Sequence, residues 1–318
     1  MIIRFGYVSQ ALALWECSPS KALTFKSWKQ LKKENREEKL KEVCFLNIMH
    51  TKRIIHYNIA HDIPLYRFSS SMIPLATHPE VRFDFQKYFQ SELIELGALV
   101  KTHRIRTSFH PNQFTLFTSE EERISKNAVV DMEYHYNLLQ AMGLEQEALI
   151  NIHVGGAYGD KKSAVKRFHE NLKMLPEPIK KRMTLENDDK TYNAEEVLAI
   201  CQKENIPLIF DYHHHLANQC DNELESMLPA IFDTWGVMRL RPKVHLSSPK
   251  SDKDFRHHAD HVDVDFILPF IEMTKKLKLD FDVMVEAKKK DQALLKLIED
   301  LCSIRGIKRI GGAVIEIK

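Results

Sequence analysis

The sequence predicts an α/β fold, a TIM (β/α)8 barrel, on three observations: eight short apolar runs, amphipathic segments between them, and a polar, metal-ligating type of residue ending most runs. The runs are Ile2–Ser9, Leu65–Ser71, Ile105–His110, Ala148–His153, Met183–Glu186, Pro207–Tyr212, Lys243–Leu246 and Asp282–Glu286. Most are spaced about 25 to 45 residues apart, the length of one strand–helix unit. Helical spacing appears in Phe85–Thr102, through Leu93, Leu96 and Val100, and in Asn193–Glu204, through Val197, Ile200 and Cys201. The longest interval, between the first two strands, holds Thr24–His61, which reads as a two-helix insertion. No Gly/Ser/Pro-rich linker interrupts the chain, so residues 1–318 are expected to form a single domain. An open doubly wound sheet is disfavoured because no GxGxxG follows the first strand.

Charge and cysteine content narrow the function. The 46 basic and 44 acidic residues nearly cancel at +2, so binding of nucleic acid would have to rest on local patches. The five cysteines contain no CxxC pair, which argues against a disulfide framework and against a structural zinc site. Neither a secretory leader nor a long apolar span is visible, so a cytoplasmic protein without membrane contact is expected.

The strand ends carry the chemistry. Strands three to eight close on His110, His153, Glu186, Asp211, His245 and Glu286, and a His213-His-His215 run follows strand six. In a barrel all these ends meet at one mouth. Carboxylates shared between hard or borderline ions, with imidazoles completing each shell, are how phosphodiesterase metal sites are built. Each residue also has a structural alternative: Glu186 and Glu286 could pair with Arg182 or Lys288, and alternation cannot rank His213, His214 and His215 once the strand has turned. His258 and Asp260, in Arg256–His261, offer a second polar cluster. Lys243 shares the inward face of its strand with His245, so it is expected to lose its charge, to become a carbamate, or to hydrogen-bond Ser108, Asn151 or Thr184.

Six segments together resemble the UV damage endonucleases: Tyr66-Arg-Phe-Ser-Ser-Ser71, Ser108-Phe-His-Pro-Asn-Gln-Phe114, Asn151–Lys161, Leu185-Glu-Asn-Asp-Asp189, Asp211–His215 and Lys243-Val-His-Leu-Ser-Ser248. The resemblance runs from Arg4 to Glu286. It implies a barrel related to apurinic-site endonucleases, acting on double-stranded DNA and cutting immediately 5′ of cyclobutane dimers and 6-4 photoproducts. It further implies three divalent ions, manganese with zinc or cobalt as alternatives, and a monomer. By matching motif the ligands are His110, His153, Glu186, Asp211, His214, His245 and Glu286, with His258 added from its loop. Lys243 corresponds to a modified, carboxylated lysine, and His78 to a histidine near the scissile phosphate. Gln113 and Phe114 match a pair inserted into the duplex at the lesion, and Tyr7 an aromatic lesion contact. Phe114 keeps the stacking face of the family's usual tyrosine without its hydroxyl, and no asparagine follows Tyr7 in Val8-Ser-Gln-Ala11. Lys161, Lys162, Lys166 and Arg167 are candidate phosphate contacts. The competing readings are a metal-dependent sugar isomerase, an apurinic-site endonuclease and an inert DNA-binding barrel.

Overall fold

In the first strand, β1 (Ile2–Val8), alternate side chains part to opposite faces: Arg4 meets Asp282 inside the barrel, while Tyr7 donates its hydroxyl to Asn58 on an outer helix. The same alternation continues through β2 (Leu65–Arg67), β3 (Arg106–Phe109), β4 (Leu149–His153), β5 (Met183–Glu186), β6 (Leu208–Asp211) and β7 (Lys243–Leu246). A polar hairpin of β8 (Pro249–Ser251) and β9 (Asp254–His258) intervenes before β10 (Phe281–Val285). This computed structural model describes residues 1–81 and 83–318. Among them, β1 to β7 and β10 pair in parallel in sequence order. Pairing of Phe5 with Val283 and of Tyr7 with Val285 closes the ring.

The outward faces of the strands are apolar because helices cover them. Helix Arg36–Ala60 buries Leu40, Val43, Cys44, Ile48, Thr51, Ile54 and Ile55 at three- and four-residue spacing, which accounts for its length without strong caps. With the short helix Phe25–Gln30, capped by Thr24 through the Ser27 amide, it forms the insertion after β1. Helix Ala194–Glu204 starts with a capping box in which Asn193 and Glu196 exchange side-chain and backbone bonds. Gly97 lies where helix Phe85–Thr102 meets the turn at Met142, and a Cβ there would stand 1.7 Å from the Met142 carbonyl oxygen.

The interior is charged at its floor. Asp282 accepts from Arg4 Nε and Nη2, both at 2.7 Å, and from Arg106 Nη1 at 2.6 Å. Small apolar groups, Val8 with Leu65 and Met284, and Leu149 with Ile209 and Trp235, form separate buried clusters. Two strands lie beyond the eighth run read from sequence, β11 (Ile307–Gly311) and β12 (Val314–Ile317). Because β2 is short and reaches only Gly6–Val8 of β1, the amino-terminal part of β1 takes β12 as its antiparallel partner, Ile2 to Glu316 and Arg4 to Val314. All five cysteines are free, and no helix among the described residues is long and apolar enough to cross a membrane.

Candidate metal centre

Strand parity aims Glu186, Asp211, His153 and His245 inward at one mouth, with His110 and Glu286 one step beyond β3 and β10. His214 arrives differently. Asp211 is the N-cap of helix Tyr212–Ala217, its Oδ1 accepting the His214 amide at 2.8 Å, and that turn folds the His214 ring back over the strand end.

Glu186 is the common member of three groups of donor atoms: with His110 and His153, with Asp211 and His214, and with His245 and Glu286. Its Oε2 lies 3.1 Å from His110 Nε2, and its Oε1 lies 3.0 Å from His245 Nδ1. Glu286 Oε1 is 3.2 Å from His245 Nδ1. Adjacent donors in one octahedral shell with bonds of about 2.1 Å lie roughly 3 Å apart, so these separations suit ligands of shared ions. Below the mouth, Thr184 donates to Asn151 Oδ1 at 2.9 Å and Asn151 donates to Glu186 Oε2, fixing the carboxylate's plane.

The donor atoms call for cations. His110 donates Nδ1–H to the Pro111 carbonyl at 2.9 Å, so in the neutral ring the lone pair of Nε2 faces the Glu186 oxygen. Two acceptors at that distance repel unless a proton or a metal ion lies between them. His214 Nδ1 likewise donates to the Asn187 carbonyl at 2.9 Å, so Nε2 is the nitrogen this ring would offer an ion on losing its second proton. His153 Nδ1 and Asp211 Oδ2 are buried without hydrogen-bond partners among the described residues, as ligand atoms awaiting an ion would be. Imidazole nitrogens and carboxylate oxygens, with no thiolate, suit borderline and hard divalent ions.

Charge is balanced within this cluster. Burial alone would raise the Glu186 carboxyl, but the rings of His245, His153 and His110 hold it well below the usual carboxylate range. Burial raises the Asp211 carboxyl, while His214, against burial, is lifted to about 9 by Asp211, Glu186 and Glu286. Burial lowers His153, and lowers His245 to about 4. Lys243 is fully enclosed and its amine is pushed far below the normal lysine range by burial and by Arg106 and Arg67. Its Nζ donates to Ser108 Oγ at 3.1 Å.

Arg67 is the residue that sequence reading missed. Its Nη1 lies 2.6 Å from Glu286 Oε1 and its Nη2 lies 2.7 Å from His245 Nε2, so it, rather than Lys288, pairs with Glu286. An arginine inside a buried apolar strand, in phase with the inward position Leu65, was the available signal.

The remaining candidates separate clearly. Of the three consecutive histidines, His213 is held in the core by Ser247 Oγ at 2.8 Å and by the Phe255 carbonyl at 2.6 Å, and His215 packs against Phe210, so His214 alone joins the cluster. His258 ends β9 with its ring 6.1 Å from that of His214, at the border of the cluster and outside the three groups. His78 stands apart, its ring stacked at 3.9 Å on Phe25. Tyr7 corrects the expectation of a lesion contact: it is completely buried on the helix-facing side of β1, since Arg4, Gly6 and Val8 take the inward positions. Gln113 and Phe114 lie on the exposed loop after β3, Phe114 being 71% exposed. A cavity of about 520 Å³ is lined by Gln113, Phe114, His153, Asp188, Lys190 and His214 among others. Among the basic candidates, Lys161 is paired with Glu196 at 2.8 Å and Arg167 donates to the Thr118 carbonyl, whereas Lys162 is exposed.

A closed α/β barrel with acids and imidazoles gathered at the carboxyl ends of its strands is the framework of metal-using barrel enzymes. The family model "UV-endonuclease UvdE" matches residues 3–318, and the chain belongs to that family of endonucleases. The UV DNA damage endonucleases of Bacillus mycoides (strain KBAB4) and Bacillus cereus (strain G9842) are each 60% identical over 316 residues, 99% of this chain and 100% of theirs. The crystal structure of SacUVDE superposes with a TM-score of 0.84 at 31% identity, covering 95% of this chain and 98% of that one. Endonuclease IV from Thermus thermophilus, at 15% identity and a TM-score of 0.51 over 74% of this chain and 87% of that one, shares the fold. The family sets aside the sugar-isomerase and inert-barrel readings.

Proposed function

We propose that this endonuclease hydrolyses the phosphodiester immediately 5′ of cyclobutane pyrimidine dimers and 6-4 photoproducts in double-stranded DNA, using up to three divalent ions, manganese first among them. The observation that carries this reading is Glu186, shared by three donor groups, two of which reach, through His153 and His214, the cavity that Gln113 and Phe114 also line. His110, His153, Glu186, Asp211, His214, His245 and Glu286 would hold the ions, with His258 close enough to join when substrate rearranges the rim. When bound, such ions polarise a phosphoryl oxygen and lower the pKa of water.

The chain's own groups do the rest. Asn151 and Thr184 keep the Glu186 carboxylate in one orientation, and Asn187 fixes both Asp211, through two backbone bonds at 2.9 Å, and the tautomer of His214. Phe114 offers a stacking face for the gap left when the linked bases leave the helix, and extrusion is easier at a lesion whose stacking is already weakened. Water adds to phosphorus and the 3′-oxygen leaves, giving a 3′-hydroxyl and a 5′-phosphate. Burial shifts Lys243 toward its neutral amine, the form that reacts with carbon dioxide, losing a proton to give a carbamate, and Ser108 is placed to hydrogen-bond the product. The test is a nicking assay with manganese on a duplex carrying a single cyclobutane dimer: a cut directly 5′ of the dimer is expected, and equal cutting of the undamaged duplex would reject the lesion reading.

A further inference from the structure

The histidines of the cluster do not all present the same nitrogen chemistry. His110 donates Nδ1–H to the backbone carbonyl of Pro111, which leaves Nε2 as the lone pair facing Glu186 Oε2 at 3.1 Å. His245 is reversed. Arg67 Nη2 lies 2.7 Å from Nε2 and 3.5 Å from Nδ1, and a guanidinium has only donors, so in the neutral ring the nearer nitrogen, Nε2, accepts and the hydrogen sits on Nδ1. That Nδ1 points between Glu186 Oε1 at 3.0 Å and Glu286 Oε1 at 3.2 Å, where an ion held by this group would need a lone pair. An ion on Nδ1 moves the ring hydrogen to Nε2, where it collides with an Arg67 N–H at hydrogen-bond distance. Arg67 also holds Glu286 Oε1 at 2.6 Å, an oxygen of the same group.

We propose that Arg67 is the resident cation of the Glu186–His245–Glu286 position and competes with a divalent ion for it, so that this position fills last and most weakly and Arg67 sets the metal count. The inference rests on the metal-using reading above. Arg67 keeps the two ligands ordered without an ion. An entering ion must break the Arg67–His245 bond and share Glu286, and both steps oppose binding there and nowhere else in the cluster. Neither of the other two groups includes His245 or Glu286, the two side chains that Arg67 grips.

The experiment is a calorimetric titration of the metal-free, full-length protein with manganese, with bound ion counted independently by electron paramagnetic resonance. Wild type is expected to show one class of site at least about tenfold weaker than the rest. Arg67→Met should tighten that class alone, by about ten- to a hundredfold, the range of one charge-assisted hydrogen bond. Arg67→Lys keeps the charge but loses the two-pronged grip, so it should shift the same class in the same direction by less, and it serves if the methionine variant folds poorly. Glu286→Gln should remove the weak class and spare the others. A weak class unchanged or weakened in the folded Arg67 variants, or loss of a tight class in Glu286→Gln, overturns the competition while leaving the metal-using reading intact. No manganese bound by wild type overturns both.

Discussion

Replacing Glu186 by glutamine tests the centre at the one residue its three donor groups share. Glutamine keeps the shape, removes the charge, and turns one ligand oxygen into an NH2 that faces either His110 Nε2, 3.1 Å from Oε2, or His245 Nδ1, 3.0 Å from Oε1. One charge-assisted contact is worth about 1.5–3 kcal/mol, so each ion that Glu186 touches should bind about 10- to 150-fold more weakly. Because all three groups contain Glu186, every site should suffer, and the cleavage rate should fall by at least about a hundredfold. Glu286→Gln is the comparison, since Glu286 belongs to one group only. Elemental analysis after dialysis and single-turnover nicking measure the two effects on the same sample. Wild-type metal content with a rate within about tenfold of wild type in Glu186→Gln would refute the shared ligand. Equal losses from both substitutions would refute the division into groups.

Three further outcomes follow from the geometry. Phe114→Ala removes a ring that is 71% exposed, so chemical denaturation should move by no more than about 0.5 kcal/mol, while affinity for a lesion duplex in a binding titration falls about 5- to 150-fold. Lys243→Met should leave the metal-free protein as stable as wild type or more so at pH 7. The folded-state amine is depressed below its unfolded value of 10.5, so the unfolded chain binds the extra proton, wild-type stability rises with pH through the window below 10.5, and the variant's advantage in urea melts must shrink at pH 9.5. An advantage that grows with pH would contradict the buried neutral amine. Gly97→Ala forces a methyl to within 1.7 Å of the Met142 carbonyl oxygen, so helix Phe85–Thr102 must shift and thermal denaturation should show a loss of about 1–3 kcal/mol, with no measurable loss arguing against the close packing.

The barrel was legible because each of its strands is an apolar run bounded by helical spacing, and the site because parity plus convergence turns scattered strand-end residues into neighbours. Strand ends moved by at most one residue except at β2, which stops at Arg67 instead of Ser71; Met183–Glu186 and Lys243–Leu246 match residue for residue. Parity also explains what was misjudged. Tyr7 lies one position from Gly6 and Val8 on β1, and that single step sends it to the helices instead of the mouth. The choice among His213, His214 and His215 depended on where the chain leaves β6, because Asp211 both ends the strand and caps a helix whose first turn selects His214. Arg67 gave only a composition signal, since its partners, Glu286 and His245, are 219 and 178 residues away in sequence (286 − 67 and 245 − 67). The hairpin of β8 and β9 is polar and partly exposed, so it lacks the apolar run that marks the other strands. For β12 the mark was there, in the alternation of Val314–Ile317 after Gly311-Gly312, whereas β11 (Ile307–Gly311) is mostly exposed and shows none.

The use of β12 as a partner for β1 has a consequence for how the molecule is made. A ribosome delivers Ile2–Arg4 hundreds of codons before the residues that flank them, Phe281–Asp282 and Val314–Glu316. Through that interval the first strand is a sticky, half-dressed edge, and closure of the ring must wait for contacts of very long sequence separation, which are slow to form. The nascent chain is therefore most exposed to aggregation and to chaperone capture while synthesis is still under way, and the hairpin of β11 and β12, made after all eight barrel strands, acts as the latch that ends that vulnerability.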